Sequence, residues 1–151
     1  MEIKKALIMN NFSAAGKEDV LRALASKMVQ AGYVKDSFEE AIVCREEKFA
    51  TGLQFKTLGI AIPHTDPEHV LEPAVSVTRL EKSIEFEHMG LGGIVKVELI
   101  FMLALKDATG HIQGLKKLAD LFQDEQVVNE FRAAKSDDDL VEIVGKWFSL
   151  S

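Results

Sequence analysis

Two histidines and two prolines stand close together in residues 59–70, which read GIAIPHTDPEHV. His64 follows Pro63 directly, and His69 comes five residues later. A neutral imidazole has one ring nitrogen with a free lone pair, so it can act as a nucleophile near pH 7 without a separate base. His64 is therefore a candidate nucleophile for attack on phosphorus. The prolines on either side, Pro63 and Pro67, would hold the imidazole in a fixed position for this attack, but they are equally typical of an inert tight loop.

The same stretch offers possible metal ligands at His64, Asp66, Glu68, His69 and Glu72. The prolines prevent the helical H-x-x-x-H geometry with which two histidines share a zinc ion, and no cysteine stands nearby. We therefore expect solvated loop residues here, and neither a metal ion nor another cofactor.

A transferred phosphoryl group needs donors for its oxygens. The guanidinium of Arg45 matches phosphate geometry, although a helix arginine is more often exposed and paired with a neighbour such as Glu46. His111 stands at the predicted start of a helix, where free amides and the helix dipole favour an anion; a solvated ring is the alternative. Thr51 and Thr65 are possible hydroxyl donors, which periodicity cannot separate from ordinary surface threonines.

Other nucleophiles have weaker support. Cys44 lies beside Ile42 and Val43 in a predicted helix, without a glycine-rich loop or a histidine near it in sequence, so we predict a buried structural thiol. The chain also has no G-x-S-x-G motif, which exposes the serine of many hydrolases.

The whole sequence predicts one cytoplasmic domain over residues 1–151. The net charge of −6 disfavours a nucleic-acid partner, because such binding draws on Lys and Arg. A single cysteine permits no intrachain disulfide, and the start of the chain lacks the pattern of a signal peptide. The longest apolar run, residues 99–105, is far shorter than the roughly 20 residues of a membrane-spanning helix.

Hydrophobic periodicity predicts helices on both sides of a group of strands. One helix covers residues 17–31; a second follows a predicted capping box at Ser37 and runs to residue 48; three more follow residue 110. Strands are predicted over residues 60–62, 74–80 and 94–106, the second with one covered face and the third covered on both. The economical packing for this order is a three-layer α/β/α sandwich.

Three segments taken together resemble the IIA component of the sugar phosphotransferase system, in its fructose/mannitol superfamily. They are EAIVCREEKFATGLQ (residues 40–54), GIAIPHT (residues 59–65) and GHIQGLKKLADLFQDEQVV (residues 110–128). Within that superfamily, FATGLQ and IAIPHTDPEHV are most similar to galactitol-type proteins.

This resemblance implies a three-layer fold with a central mixed β-sheet. It also implies that His64 accepts a phosphoryl group from the carrier HPr and passes it to a cysteine of a IIB component, with the membrane IIC component involved only indirectly. Arg45 matches the motif arginine and His111 the second active-site histidine, both stabilising the phosphoryl group. Since two protein partners must reach His64 in turn, we expect a shallow site with exposed apolar residues around it.

The sequence leaves the biological output open. The same phosphorylated histidine would serve a transporter or a regulatory module that binds other proteins according to its phosphorylation state. The third hypothesis is a metal-dependent enzyme that uses residues 64–72. The sugar is not specified, because the membrane component binds it.

Overall fold

The central sheet of the protein has five strands in the order β1-β4-β5-β3-β2. A computed structural model of the chain describes residues 2–151. Pairing is parallel for β1 with β4 and for β3 with β5, and antiparallel for β4 with β5 and for β2 with β3. The strands are β1 (Ile3–Phe12), β2 (Gly52–Gln54), β3 (Gly59–Ala61), β4 (Ala74–Glu87) and β5 (Ile94–Ala104).

Five α-helices cover the two faces of this sheet. One hydrophobic core lies between the sheet and the first two helices, and a second lies between the sheet and the last three. The predicted α/β/α sandwich with a mixed sheet is therefore confirmed. The helices are α1 (Lys17–Gln30), α2 (Phe38–Lys48), α3 (Ala108–Leu121), α4 (Glu125–Arg132) and α5 (Asp137–Trp147).

The strand β1, which precedes the first helix and occupies an edge of the sheet, was not predicted from the sequence. Ile3 pairs with Val75 and Ile8 with Val77, so β1 advances five residues while β4 advances two. This irregularity breaks the alternation of buried and exposed positions on which strand prediction depends. The three-residue strand β2 was missed as well, because three residues carry too little pattern.

The strand β4 was predicted to have one covered face, and this was wrong. Ser76 and Thr78 are 1% and 0% exposed, because β4 lies between β1 and β5 with helices on both sides. Their hydroxyl groups have no hydrogen-bond partner among residues 2–151. By contrast, β5 is buried on both faces from Leu99 to Ala104, as predicted.

The helix α2 begins where predicted, but not through a capping box. Ser37 precedes it with helical backbone angles and makes no side-chain cap; its hydroxyl instead pairs with Nδ1 of His69 at 2.8 Å. Glu40 interacts with Arg22 rather than with the Ser37 amide. The true partner of Ser37 lies 32 residues away, where a local motif cannot detect it.

Within residues 2–151, no helix is both long and apolar enough to cross a membrane.

Candidate active site

His64 lies just beyond the end of β3, beside the carboxyl end of β5. The carbonyl of Pro63 accepts the amide of Leu103 at 2.9 Å, and His64 itself forms an isolated bridge with Leu103. Gly59 permits this close packing, because any β-carbon there would collide with the carbonyl oxygen of Lys96. The strand β5 therefore holds the segment that presents the imidazole.

One nitrogen of the His64 ring is fixed and the other is free. Nδ1 lies 2.8 Å from the carbonyl oxygen of Ile62, an acceptor only, so Nδ1 carries the hydrogen and donates it. Nε2 then has the lone pair, and it has no hydrogen-bond partner among residues 2–151. The orientation and the tautomer of the His64 ring are therefore those that a nucleophile at Nε2 requires.

His111 faces His64 across the site. Their ring centroids are 4.4 Å apart and their planes are tilted by 39°. His111 lies in the first turn of α3, and its Nε2 is buried without a hydrogen-bond partner in the described part of the chain. The expected free amides are fewer than predicted, because the Asp107 carboxylate accepts the Gly110 amide at 2.8 Å.

Arg45 reaches the site from the last turn of α2. Its Nη1 lies 3.4 Å from a carboxylate oxygen of Asp66, so it pairs with the His64 loop and not with Glu46. Its Nε is buried and has no hydrogen-bond partner among residues 2–151. The guanidinium also stacks over the ring of Phe49, with 4.9 Å from Cζ to the ring centroid. Part of the guanidinium fork thus remains available to an anion.

Burial and positive charge keep both histidines neutral. Burial is the main cause that lowers the pKa of His64; the bond to Ile62 opposes it, and the charge of Arg45 adds to it. The pKa of His111 is lowered first by burial, then by His64 and by Arg45. Both rings therefore lack a charge near pH 7, which leaves the Nε2 lone pair of His64 available.

The first prediction concerns this neutrality. The ring resonances of His64 and His111 should titrate with midpoints below the ordinary value of about 6.5. Replacing Arg45 with glutamine should raise both midpoints, because a cation that favours the neutral rings is removed. NMR titration of both proteins measures this directly. Midpoints at or above 6.5 in the unaltered protein would contradict the described environment.

The two threonines are both buried, so neither is an ordinary surface residue. Thr51 is 2% exposed, and its hydroxyl donates to Glu46 at 2.7 Å, which commits the hydrogen elsewhere. We therefore leave Thr51 out of the proposed phosphoryl-binding set. Thr65 is 5% exposed and follows His64 directly, so it stays a candidate.

Cys44 is exposed, and the prediction of a buried thiol was wrong. The helix α2 buries Phe38, Ile42, Val43 and Glu46, a stripe that leaves position 44 on the opposite side. The apolar neighbours of Cys44 in sequence were misleading, because adjacent helical residues point about 100° apart.

His69 stays outside the site. It ends a short 3-10 helix at residues 67–69 and pairs with Ser37, while its carbonyl accepts the Lys35 amide at 2.9 Å. These bonds tie the His64 loop to the segment before α2. In the part of the chain that the structure describes, no group of three or more His, Cys, Asp or Glu side chains could hold a metal ion.

Exposed apolar residues lie beside the site. Phe49 is 61% exposed and stacks on Arg45, and Ile112 is 69% exposed and follows His111. In contrast to Ile112, Leu118 of α3 and the following Phe122 are each 1% exposed. Phe49 thus provides exposed apolar area beside Arg45, and Ile112 provides it on α3 one residue after His111.

The burial of Glu46 was not predicted from the sequence. It is 2% exposed, although glutamate is rarely buried, and its carboxylate accepts two hydrogen bonds from Thr51. A signal did exist: Glu46 continues the buried i, i+4 stripe of Phe38 and Ile42. Beside an arginine, however, it was interpreted as an ion-pair partner.

An α/β/α sandwich that presents a neutral histidine beside a second histidine and an arginine has the groups that phosphoryl transfer through histidine requires. A family model described as phosphoenolpyruvate-dependent sugar phosphotransferase system, EIIA 2, matches residues 1–147. The chain belongs to this family. Its members act in phosphoryl transfer through a phosphohistidine.

Individual relatives agree with this assignment. The chain is 28% identical over 148 residues to the fructose-specific EIIABC component of Bacillus subtilis, covering 95% of this chain but 22% of that protein. It is 25% identical over 121 residues to the galactitol-specific EIIA component of Escherichia coli K12, covering 80% and 81%. At these identities the finer likeness to galactitol-type proteins stays a prediction.

A solved structure supports the fold. The crystal structure of IIA mannitol from Escherichia coli superimposes with a TM-score of 0.77 at 25% identity, covering 95% of this chain and 99% of that one.

Proposed function

We propose that this protein is a phosphocarrier that accepts a phosphoryl group on Nε2 of His64 from phospho-HPr and transfers it to a cysteine of a IIB component. The observation that carries the proposal is the fixed His64 ring: Nδ1 donates to Ile62, while Nε2 is free beside His111 and Arg45. Family membership supplies the reaction class.

The transfer balances without a metal ion. The Nε2 lone pair forms the new bond to phosphorus as the bond to the donor histidine breaks, and that electron pair returns to the donor ring. Positive charge develops on the His64 ring, and the Ile62 carbonyl stabilises it through Nδ1–H. Arg45 and a hydrogen on Nε2 of His111 donate to the phosphoryl oxygens. In the second step a IIB thiolate attacks phosphorus and His64 leaves.

The accessible surface around His64 suits two successive partners. Phe49, which stacks on Arg45, and Ile112, which follows His111 on α3, offer exposed apolar area that suits the centre of a small transient interface. A IIB acceptor is also supported by the fructose-specific relative, whose name combines EIIA with B and C components. We further propose that residues 1–151 act as one domain and that the protein works in the cytoplasm, where these carriers meet.

The second prediction tests the transfer of the phosphoryl group from His64 to a IIB component. Phosphorylated protein should transfer its label to the active cysteine of at least one IIB component, and galactitol-, fructose- and mannitol-type IIB proteins are the first acceptors to mix with it. Labelled protein is followed on gels after mixing. Each IIB component with its cysteine replaced is the control and should accept nothing.

Complete retention of the label in the presence of all three acceptors would contradict the transport role. Phosphorylation by HPr without onward transfer would favour the regulatory reading, in which the phosphorylation state controls the binding of another protein.

A further inference from the structure

A buried carboxylate is joined to His64 by consecutive hydrogen bonds. Glu46 accepts the backbone amide of Thr51 on Oε2 at 2.7 Å and the Thr51 hydroxyl on Oε1 at 2.7 Å. Both residues are 2% exposed, so these bonds do not compete with water. Two short bonds to one residue fix the segment that follows α2.

The connection continues from Thr51 to the reacting ring. The Thr51 carbonyl accepts the amide of Ile62 at 3.2 Å, and the Ile62 carbonyl accepts Nδ1–H of His64 at 2.8 Å. The next residue, Pro63, has no amide hydrogen and cannot donate a backbone hydrogen bond. The amide of Ile62, which donates to Thr51, is therefore the donor that fixes the backbone at this point. The orientation of the Ile62 carbonyl determines which ring nitrogen of His64 carries the hydrogen.

We propose that Glu46 is a positioning residue for phosphoryl transfer, which holds His64 in the Nδ1–H tautomer through Thr51 and Ile62. This inference rests on the proposed role of His64 as the phosphoryl acceptor. Glu46 neighbours Arg45 on α2, so one helix places both the cation and, through the hydrogen-bonded connection, the nucleophile.

Burying the Glu46 carboxyl group has an energetic cost, which supports a function for this side chain beyond packing. Burial raises the pKa of its carboxyl, and the two bonds from Thr51 oppose that rise. A buried acid without such donors would destabilise the fold, and an apolar side chain would pack at this position of the α2 stripe without that penalty. What the carboxylate adds is a pair of acceptor oxygens for Thr51.

The third prediction compares two replacements of Glu46. Glu46→Gln can still accept the Thr51 amide and can donate to the hydroxyl, so it should keep most of the transfer rate. Glu46→Met fills a similar volume without an acceptor. It should increase the Nε2–H population of His64 and lower the maximal rate roughly tenfold, as the loss of outer partners does for metal-binding histidines, with little change in KM for phospho-HPr.

The tautomer is measured from the ring ¹⁵N chemical shifts of unphosphorylated protein. It therefore stays informative if HPr fails to phosphorylate the wild-type protein, a result that would count against the proposed function alone. A folded Glu46→Met variant with the wild-type tautomer and rate would overturn the inference.

A second pair of variants tests the positioning role of Glu46 if Glu46→Met does not fold. Thr51→Val removes one of the two bonds to Glu46 and should shift the tautomer and slow transfer. Thr78→Val is the matched control, because Thr78 is 0% exposed in β4 and its hydroxyl has no partner among the described residues. Equal tautomer populations and rates in these two variants would overturn the inference.

Discussion

Replacing His64 with alanine is expected to abolish the transfer of labelled phosphate from phosphoenolpyruvate in the presence of enzyme I and HPr. The phosphoryl group would be bonded to Nε2, so the variant lacks the accepting atom and the rate should fall at least about a thousandfold. The measurement is label incorporation with time, together with the acid lability of the labelled wild-type protein. The fold should survive, because the half-buried ring makes its hydrogen bond to a local carbonyl.

Two other histidines serve as comparisons for His64. His88 follows β4, where its backbone forms a bridge with Gly52 and its Nδ1 lies 3.0 Å from the carbonyl oxygen of Met89, whereas the two imidazole rings that face each other in the site are those of His64 and His111. His88→Ala should therefore be labelled like the wild type. His111→Ala should be labelled more slowly but completely, since it removes a donor and not the acceptor. Undiminished labelling of His64→Ala would refute the assignment of the nucleophile.

Replacing Arg45 with glutamine should slow phosphorylation of His64 by about a hundredfold. The loss of one preorganised donor to a transition-state oxygen typically costs a factor of about 10² to 10³. The guanidinium, with its buried and unpartnered Nε, is held beside the His64 loop by Asp66. Labelling should still reach completion at long times, because the nucleophile is intact. Initial rates at saturating phospho-HPr measure the effect.

Arg22 provides a matched arginine control. It lies on α1 and pairs with Glu18, Glu39 and Glu40 on a partly exposed surface. Arg22→Gln removes the same charge from the protein, so a general electrostatic attraction to HPr would be reduced to a similar degree. We expect its transfer rate to stay near that of the wild type. Equal losses in Arg22→Gln and Arg45→Gln would show that Arg45 has no specific role at the phosphoryl group.

The layered fold could be predicted because its main elements have regular patterns. The helices α1 and α5 carry apolar residues at helical spacing, and β5 is a continuous apolar run. The edge strand β1 could not be predicted, because its irregular pairing with β4 destroys the alternation. Regular elements are thus visible in sequence, whereas irregular ones depend on contacts with distant strands.

The active site could be predicted from the sequence less completely than the fold. His64, Arg45 and His111 come from three separate segments, and spacing alone left each with an ordinary alternative. The resemblance grouped them, and the structure then placed the two imidazole rings 4.4 Å apart. The inward turn of Glu46 and the exposure of Cys44 follow from the direction of the buried stripe on α2, which is set by packing against the sheet.

The most direct test of the account is to identify the phosphorylated atom. Protein labelled with ¹⁵N in histidine is phosphorylated through enzyme I and HPr, and its ring nitrogens are observed by NMR with coupling to ³¹P. We expect one phosphoryl group, bonded to Nε2 of His64, while Nδ1 keeps its hydrogen and its bond to Ile62. A phosphoryl group on Nδ1 of His64, on His111 or on any other residue would contradict the account.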